Sequence, residues 1–149
     1  MLMAGLMSLA SVLPVRAAEP TAVPLFVCDH FHGEWRVGRR SEVTIFDGWF
    51  TEARRQAVKF LDRTRVELTV DGSPVANADL LWSKPFLIDP SDPESLWSVR
   101  WQYKLGRLGA GNSIDVTFTL ITTQTHWDGS TSYPPGITAH YHCRVFTRA

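Results

Sequence analysis

A surplus of charge of one sign is what this sequence most plainly lacks. Fifteen Lys and Arg are matched by fifteen Asp and Glu over 149 residues, and they are scattered along the chain. That excludes the basic footprint of a nucleic-acid binder and the polybasic patch of a membrane-surface protein. Cysteine is scarce as well, with only Cys28 and Cys143 and no C-x-x-C pair. Both asparagines, Asn77 and Asn112, lack the sequon for N-glycosylation. The local signatures of common catalysts are absent too. There is no G-x-S-x-G elbow, no H-E-x-x-H and no phosphate-cradling G-x-x-x-x-G-K. "GAGNS" at 109–113 has too few glycines for a dinucleotide fingerprint.

Long apolar runs are missing except at the start. Leu2 to Leu13 has the length of a signal peptide and is too short to cross a bilayer as a helix. Pro14 ends it, and Val15 and Ala17 stand at the small-residue spacing that a signal peptidase reads. The expectation is a signal peptide over residues 1–17, cut after Ala17 or Ala18, and one domain over 18–149 with no membrane span. Such a chain is secreted, periplasmic or held in the cell envelope. In that setting two cysteines read first as one disulfide.

What the mature chain does contain is alternation. In "SLWSVRWQYKLG", Trp97, Val99, Trp101, Tyr103 and Leu105 alternate with Ser98, Arg100, Gln102 and Lys104. A period of two over that length is a strand with one dry face and one wet face. "SIDVTFTLITTQ" repeats the pattern with Ile114, Val116, Phe118 and Leu120 inward. "RVELTVDGSPV" places Val66, Leu68 and Val70 inward before a turn at Asp71-Gly72. "EVTIF", "TAHYHCRVFT" and "PLFVC" are further strands, and Pro85 makes "ADLLWSKPFLI" an edge strand or a bulge. Thr51 to Asp62 is the exception: good helix formers, Ala53, Ala57, Phe60 and Leu61 near helical spacing, and Thr51 as a cap. Seven to eight short strands and one helix predict an all-β, antiparallel β-sandwich.

"RVELTVDGSPV" and "YKLGRLGAGNSIDVTFTL" resemble strands and the L-x-x-G turn of immunoglobulin-like modules of bacterial secreted proteins. The likeness covers about the second half of the mature chain and is one of fold only. It implies an immunoglobulin-like sandwich and a role in adhesion, spacing or carbohydrate binding. The chain departs from antibody-type domains because its cysteines lie at the two ends and a helix interrupts the strands.

Each cysteine stands beside an H-x-H pair, in "VCDHFHG" and "AHYHCR". Strand parity separates a disulfide from a metal site built from both ends. Ala139, Tyr141, Cys143 and Val145 share one face of the last strand, and His140, His142 and Arg144 share the other. His30 and His32 fall on the face of Cys28 if that strand continues. A Cys28–Cys143 bridge therefore puts the two histidine pairs on different sides, and a four-histidine site would need a bulge. The bridge is the expected arrangement, with no cofactor. His140 and His142 alone remain weak candidates for a surface Zn or Cu site, with Arg144 repelling a cation beside them.

Other candidates lie in two loops. Trp127, Asp128 and Tyr133 in "HWDGSTSYPPG" could stack on a sugar ring and accept its hydroxyls, or fold over the end of the sandwich. Asp89, Asp92 and Glu94 in "DPSDPE" are oxygen ligands without EF-hand spacing, and the prolines favour a plain acidic turn. No catalytic residue is marked. The reading is a non-catalytic interaction or structural module, whose partner is a protein or glycan at the cell surface. A carbohydrate-binding module using the loop aromatics is the first alternative. A metal-binding secreted protein or hydrolase using the histidines is the second.

Overall fold

The computed structural model describes the backbone of residues 22–26 and 33–148 and the side chains of 33–148. The expected signal peptide, Cys28, His30 and His32 lie outside the described residues. The strands are β1 (Ala22–Phe26), β2 (Glu34–Val37), β3 (Glu42–Thr51), β4 (Thr64–Val70), β5 (Ser73–Pro74), β6 (Phe86–Leu87), β7 (Trp97–Arg107), β8 (Ser113–Thr122), β9 (His126–Trp127), β10 (Ser132–Tyr133) and β11 (Gly136–Thr147). Between β3 and β4 runs one α-helix, α1 (Arg54–Arg63), and a 3-10 turn spans Ala78–Leu81.

Two sheets carry the fold. One has the order β1-β3-β7-β6 and the other β2-β11-β8-β4-β5, while β9 and β10 form a separate hairpin. The inner faces follow the alternation in the sequence. Val43, Ile45, Val99 and Trp101 of the first sheet are buried, as are Val66, Leu68, Val116, Phe118, Leu120, Cys143 and Val145 of the second. Trp101 and Phe118 meet edge-on across the sheets with ring centres 4.9 Å apart. The Trp101 indole N–H donates to the Ala78 carbonyl at 2.6 Å, which ties the 3-10 turn to the core. The result is a mostly β molecule consistent with a sandwich.

Several expectations need correction. The long ladders β3–β7, β4–β8 and β8–β11 are antiparallel, yet β1 pairs with β3, and β2 with β11, in parallel. An edge strand reached by a crossover carries no hairpin to impose the antiparallel sense. The helix begins at Arg54 and not at Thr51, because β3 stays paired with β7 through Thr51–Trp97. Thr51 consequently does not cap it; its hydroxyl donates to the Ala53 carbonyl. The Gln56 side chain accepts from the Ala53 N–H at 2.7 Å instead. "ADLLWSKPFLI" is a 3-10 turn followed by the two-residue edge strand β6, with Pro85 just before it. The loop "THWDGSTSYPPG" holds the hairpin β9–β10.

Two Asp-Gly pairs separate local from tertiary control. At Asp71-Gly72 both residues have positive φ, 49° and 75°, the backbone of a type I′ hairpin turn joining β4 to β5. Asp47-Gly48 is extended in mid-strand, continuously paired with Trp101 and Arg100 of β7. That places Asp47 on the inner face of β3 at 6% exposure. Its Oδ1 accepts from the Gly48 N–H at 2.8 Å. Burial pushes its carboxyl up to about 6, against that hydrogen bond, and its charge in turn helps raise the Tyr141 phenol.

A carboxyl whose folded pKa lies above its unfolded value favours folding fully below the unfolded value, and that contribution disappears as pH rises through about 6. Asp47→Asn should therefore gain stability relative to the native chain between pH 4 and pH 8, by up to about 3 kcal/mol. Urea unfolding of both proteins at the two pH values measures it. An unchanged difference would show that Asp47 is not desolvated in the folded state.

Candidate functional site

The site is built at the end of the two sheets where β3 turns into α1. Phe60, fully buried on α1, is the centre of a ring cluster. It stacks on Trp49 of β3 at 4.7 Å and meets Trp82 and His126 edge-on at 5.1 and 5.5 Å. His126 stacks on Tyr133 across the hairpin at 5.2 Å, and Tyr133 meets Trp49 edge-on at 4.8 Å. Backbone bonds fix the hairpin to both neighbours. The Glu52 N–H donates to the Asp128 carbonyl at 3.1 Å, and the Thr123 N–H and hydroxyl both donate to the Arg63 carbonyl at the helix end. Arg63 Nη1 reaches the Thr125 carbonyl.

Two grooves flank this hairpin. The first, about 430 Å³, is lined by Gly48, Trp49, Phe50, Thr51, Glu52, Leu96, Asp128, Ser130 and Tyr133. Phe50 and Leu96 are 53% and 43% exposed on its wall, next to half-buried Trp49 and Tyr133. Gly48 keeps the outer face of β3 low: a Cβ there would touch the Phe50 ring at 3.8 Å. Glu52 packs over Gly129, whose φ of 121° and bare Cα let the side chain approach. The second groove lies on the helix side and is lined by Arg55, Gln56, Lys59, Arg63, Thr125, His126, Trp127 and Ser132.

The three loop residues singled out from the sequence are thus divided. Asp128 and Tyr133 share the first groove, and Trp127 opens on the second, half exposed. Neighbours on a strand point to opposite faces, so buried His126 forces Trp127 outward. Asp128 also has a structural task. Its Oδ1 accepts from the Ser130 N–H and hydroxyl and from the Thr131 N–H. Burial opposes ionisation there, but those hydrogen bonds, with the Tyr133 hydroxyl, hold its carboxyl below the usual range. The Tyr133 phenol is raised, by burial first and then by Asp128. Sequence reasoning missed Trp49, Phe50, Glu52 and Leu96, which reach the groove only through the pairing of β3 with β7 and the close packing of the hairpin.

The remaining candidates settle elsewhere. His140 and His142 stand on the outer face of β11, opposite buried Cys143, as strand parity requires. His140 Nδ1 bonds to the Thr119 hydroxyl at 2.8 Å. Beside them, Arg144 makes a two-pronged ion pair with Asp115. Among the described residues no three of His, Cys, Asp or Glu are grouped to hold a metal. Asp89 and Asp92 accept from Ser91 and Glu94 backbone N–H groups in tight turns, which is the acidic-turn reading. No helix among the described residues is long and apolar enough to cross a membrane. Compared with protein-family models and with curated proteins, the sequence matches none.

His126 is 2% exposed, and neither ring nitrogen makes a hydrogen bond of good geometry. Burial, opposed by Asp128 and reinforced by Arg63, lowers its pKa below the ordinary 6.5. A histidine shifted down gives its full contribution above the unfolded pKa and loses it as pH falls. His126→Phe should be more stable than the native chain by about 1–3 kcal/mol, since it removes unpaired polar atoms, and its advantage should grow from pH 8 to pH 5. Denaturant titrations at both pH values test this; a less stable variant at pH 5 would contradict it.

Proposed function

We propose that this chain is an exported, non-catalytic binding module with an immunoglobulin-like sandwich as its scaffold, and that its ligand at the first groove is a saccharide. The observation that carries this is the pairing of exposed and half-exposed rings with a carboxylate in one groove: Phe50, Trp49 and Tyr133 beside Glu52. A pyranose presents an apolar face for rings and hydroxyls for carboxylates, so it satisfies both at once. The volume of about 430 Å³ suits a small ligand. A protein partner would need about 800 Å² of each surface, far beyond Phe50 and Leu96. The walls stand on β3 and β7, and rigid strands lower the ordering cost of binding.

Soluble neutral polysaccharides should quench or shift the tryptophan emission of the native protein. Phe50→Ala should weaken that binding at least about tenfold, the loss of one ring-stacking contact, without changing stability. Binding that survives in Phe50→Ala, or no emission change with any polysaccharide, would reject the saccharide reading and turn attention to protein partners.

Export also implies the Cys28–Cys143 bridge. Buried Cys143 on the inner face of β11 supports it, and a loop of that length would stabilise the fold by about 4–5 kcal/mol in the chain-entropy model. Unreduced, denatured secreted protein should show no thiol reactive with Ellman's reagent. Two reactive thiols would remove the bridge.

A further inference from the structure

The helix-side groove has a chemistry that the neutral-saccharide reading leaves unused. Arg55, Lys59 and Arg63 are spaced four apart on α1, so they fall along one face, and all three line this groove. Like charges four apart weaken a helix, and α1 has no acidic residue in its first turn. Nor does a neighbour neutralise them: among the described residues the ion pairs are Arg65–Glu67 and Arg144–Asp115, both elsewhere. Arg63 is committed to the Thr125 carbonyl, while Arg55 and Lys59 are exposed. Facing them is Trp127, with its ring 50% exposed. Part of the lining is the edge of His126, whose ring is otherwise buried. Cations beside an open ring suit a flat ligand that carries negative charge.

We propose that this groove is a second subsite, which takes the carboxylate or sulfate of an acidic sugar residue. It rests on the saccharide reading of the first groove, and the two grooves share the β9–β10 hairpin as their common wall. A chain crossing the hairpin would lay one ring against Phe50 and Tyr133 and the next against Trp127. Its acidic group would then meet Arg55 and Lys59. The opposite charges of the two grooves, Glu52 on one side and the helix cations on the other, set the direction in which such a chain lies. The module therefore selects an acidic polysaccharide over a neutral one.

Calorimetry on the full mature protein tests this with three probes: a disaccharide of one neutral sugar and one uronate, its methyl ester, and naphthalene-2-sulfonate. The expected result is that the uronate disaccharide binds at least about tenfold tighter than the ester, with an affinity that falls as salt is raised. Arg55→Gln/Lys59→Gln should erase that preference and leave binding of the ester unchanged. Both substitutions lie on exposed side chains, so thermal melts should match the native protein. Equal affinity for acid and ester overturns the acidic subsite and leaves the saccharide reading standing. If only naphthalene-2-sulfonate binds, and the double variant abolishes it, the anion site is upheld while the saccharide reading falls. Binding of no probe overturns both.

Discussion

Phe60 is the side chain on which the functional end of this molecule depends. Fully buried on the only α-helix of the described residues, it packs on Trp49 of one sheet, on Trp82 of the edge segment and on His126 of the hairpin. Removing the ring would open a cavity costing about 3–5 kcal/mol, and it would unseat the helix and the hairpin together. Both grooves would go with them, since each uses the hairpin as a wall. By itself the helix is weak, being short, basic and free of acidic residues in its first turn. An isolated helix of ten residues is marginal in water. Tertiary packing makes it stable, and that same packing fixes where its cations stand.

The polar groups near this cluster show what the arrangement costs. The indole N–H groups of Trp49 and Trp82 are buried without partners, and neither His126 nitrogen makes a hydrogen bond of good geometry. Asp47 is held in the core with a single backbone hydrogen bond. Each such group is unfavourable by about 1–3 kcal/mol, a large sum for a domain whose net stability is about 5–15 kcal/mol. Asp47 and His126 also oppose each other. The carboxyl disfavours the folded state as pH rises through about 6, and the imidazole disfavours it as pH falls below its ordinary range. Both contributions are drawn down in the mildly acidic range between, so together they leave the fold a stability minimum there.

The hairpin's two faces divide the surface chemistry. One strand of two residues puts His126 inside and Trp127 outside, and Asp128 then turns the chain with its own carboxylate. Because the Asp128 carbonyl is also tied to Glu52, the acidic and aromatic groove is positioned by β3 and not by the loop alone. A loop that is held at both ends in this way presents its side chains as rigidly as a strand does. Binding then requires little ordering of the protein.

Alternation alone determined much of the fold. The inward sets of β4, β7 and β8 stand where a period of two puts them, and strand parity placed His140 and His142 opposite Cys143, because side chains of a pleated strand have no other option. The turn at Asp71-Gly72 was equally local, since few other dipeptides accept two positive φ values. Tertiary structure decided what the same dipeptide does at Asp47-Gly48, where ten residues of pairing with β7 override a turn-forming sequence and bury a carboxyl. It also decided the site. Trp127 looked like the partner of Tyr133 and faces the other way, while Trp49, Phe50, Glu52 and Leu96, from distant stretches of chain, complete the groove. Periodicity reports which side of its own element a residue takes. Which element lies across from it depends on pairing and packing between distant segments, and no local pattern encodes that.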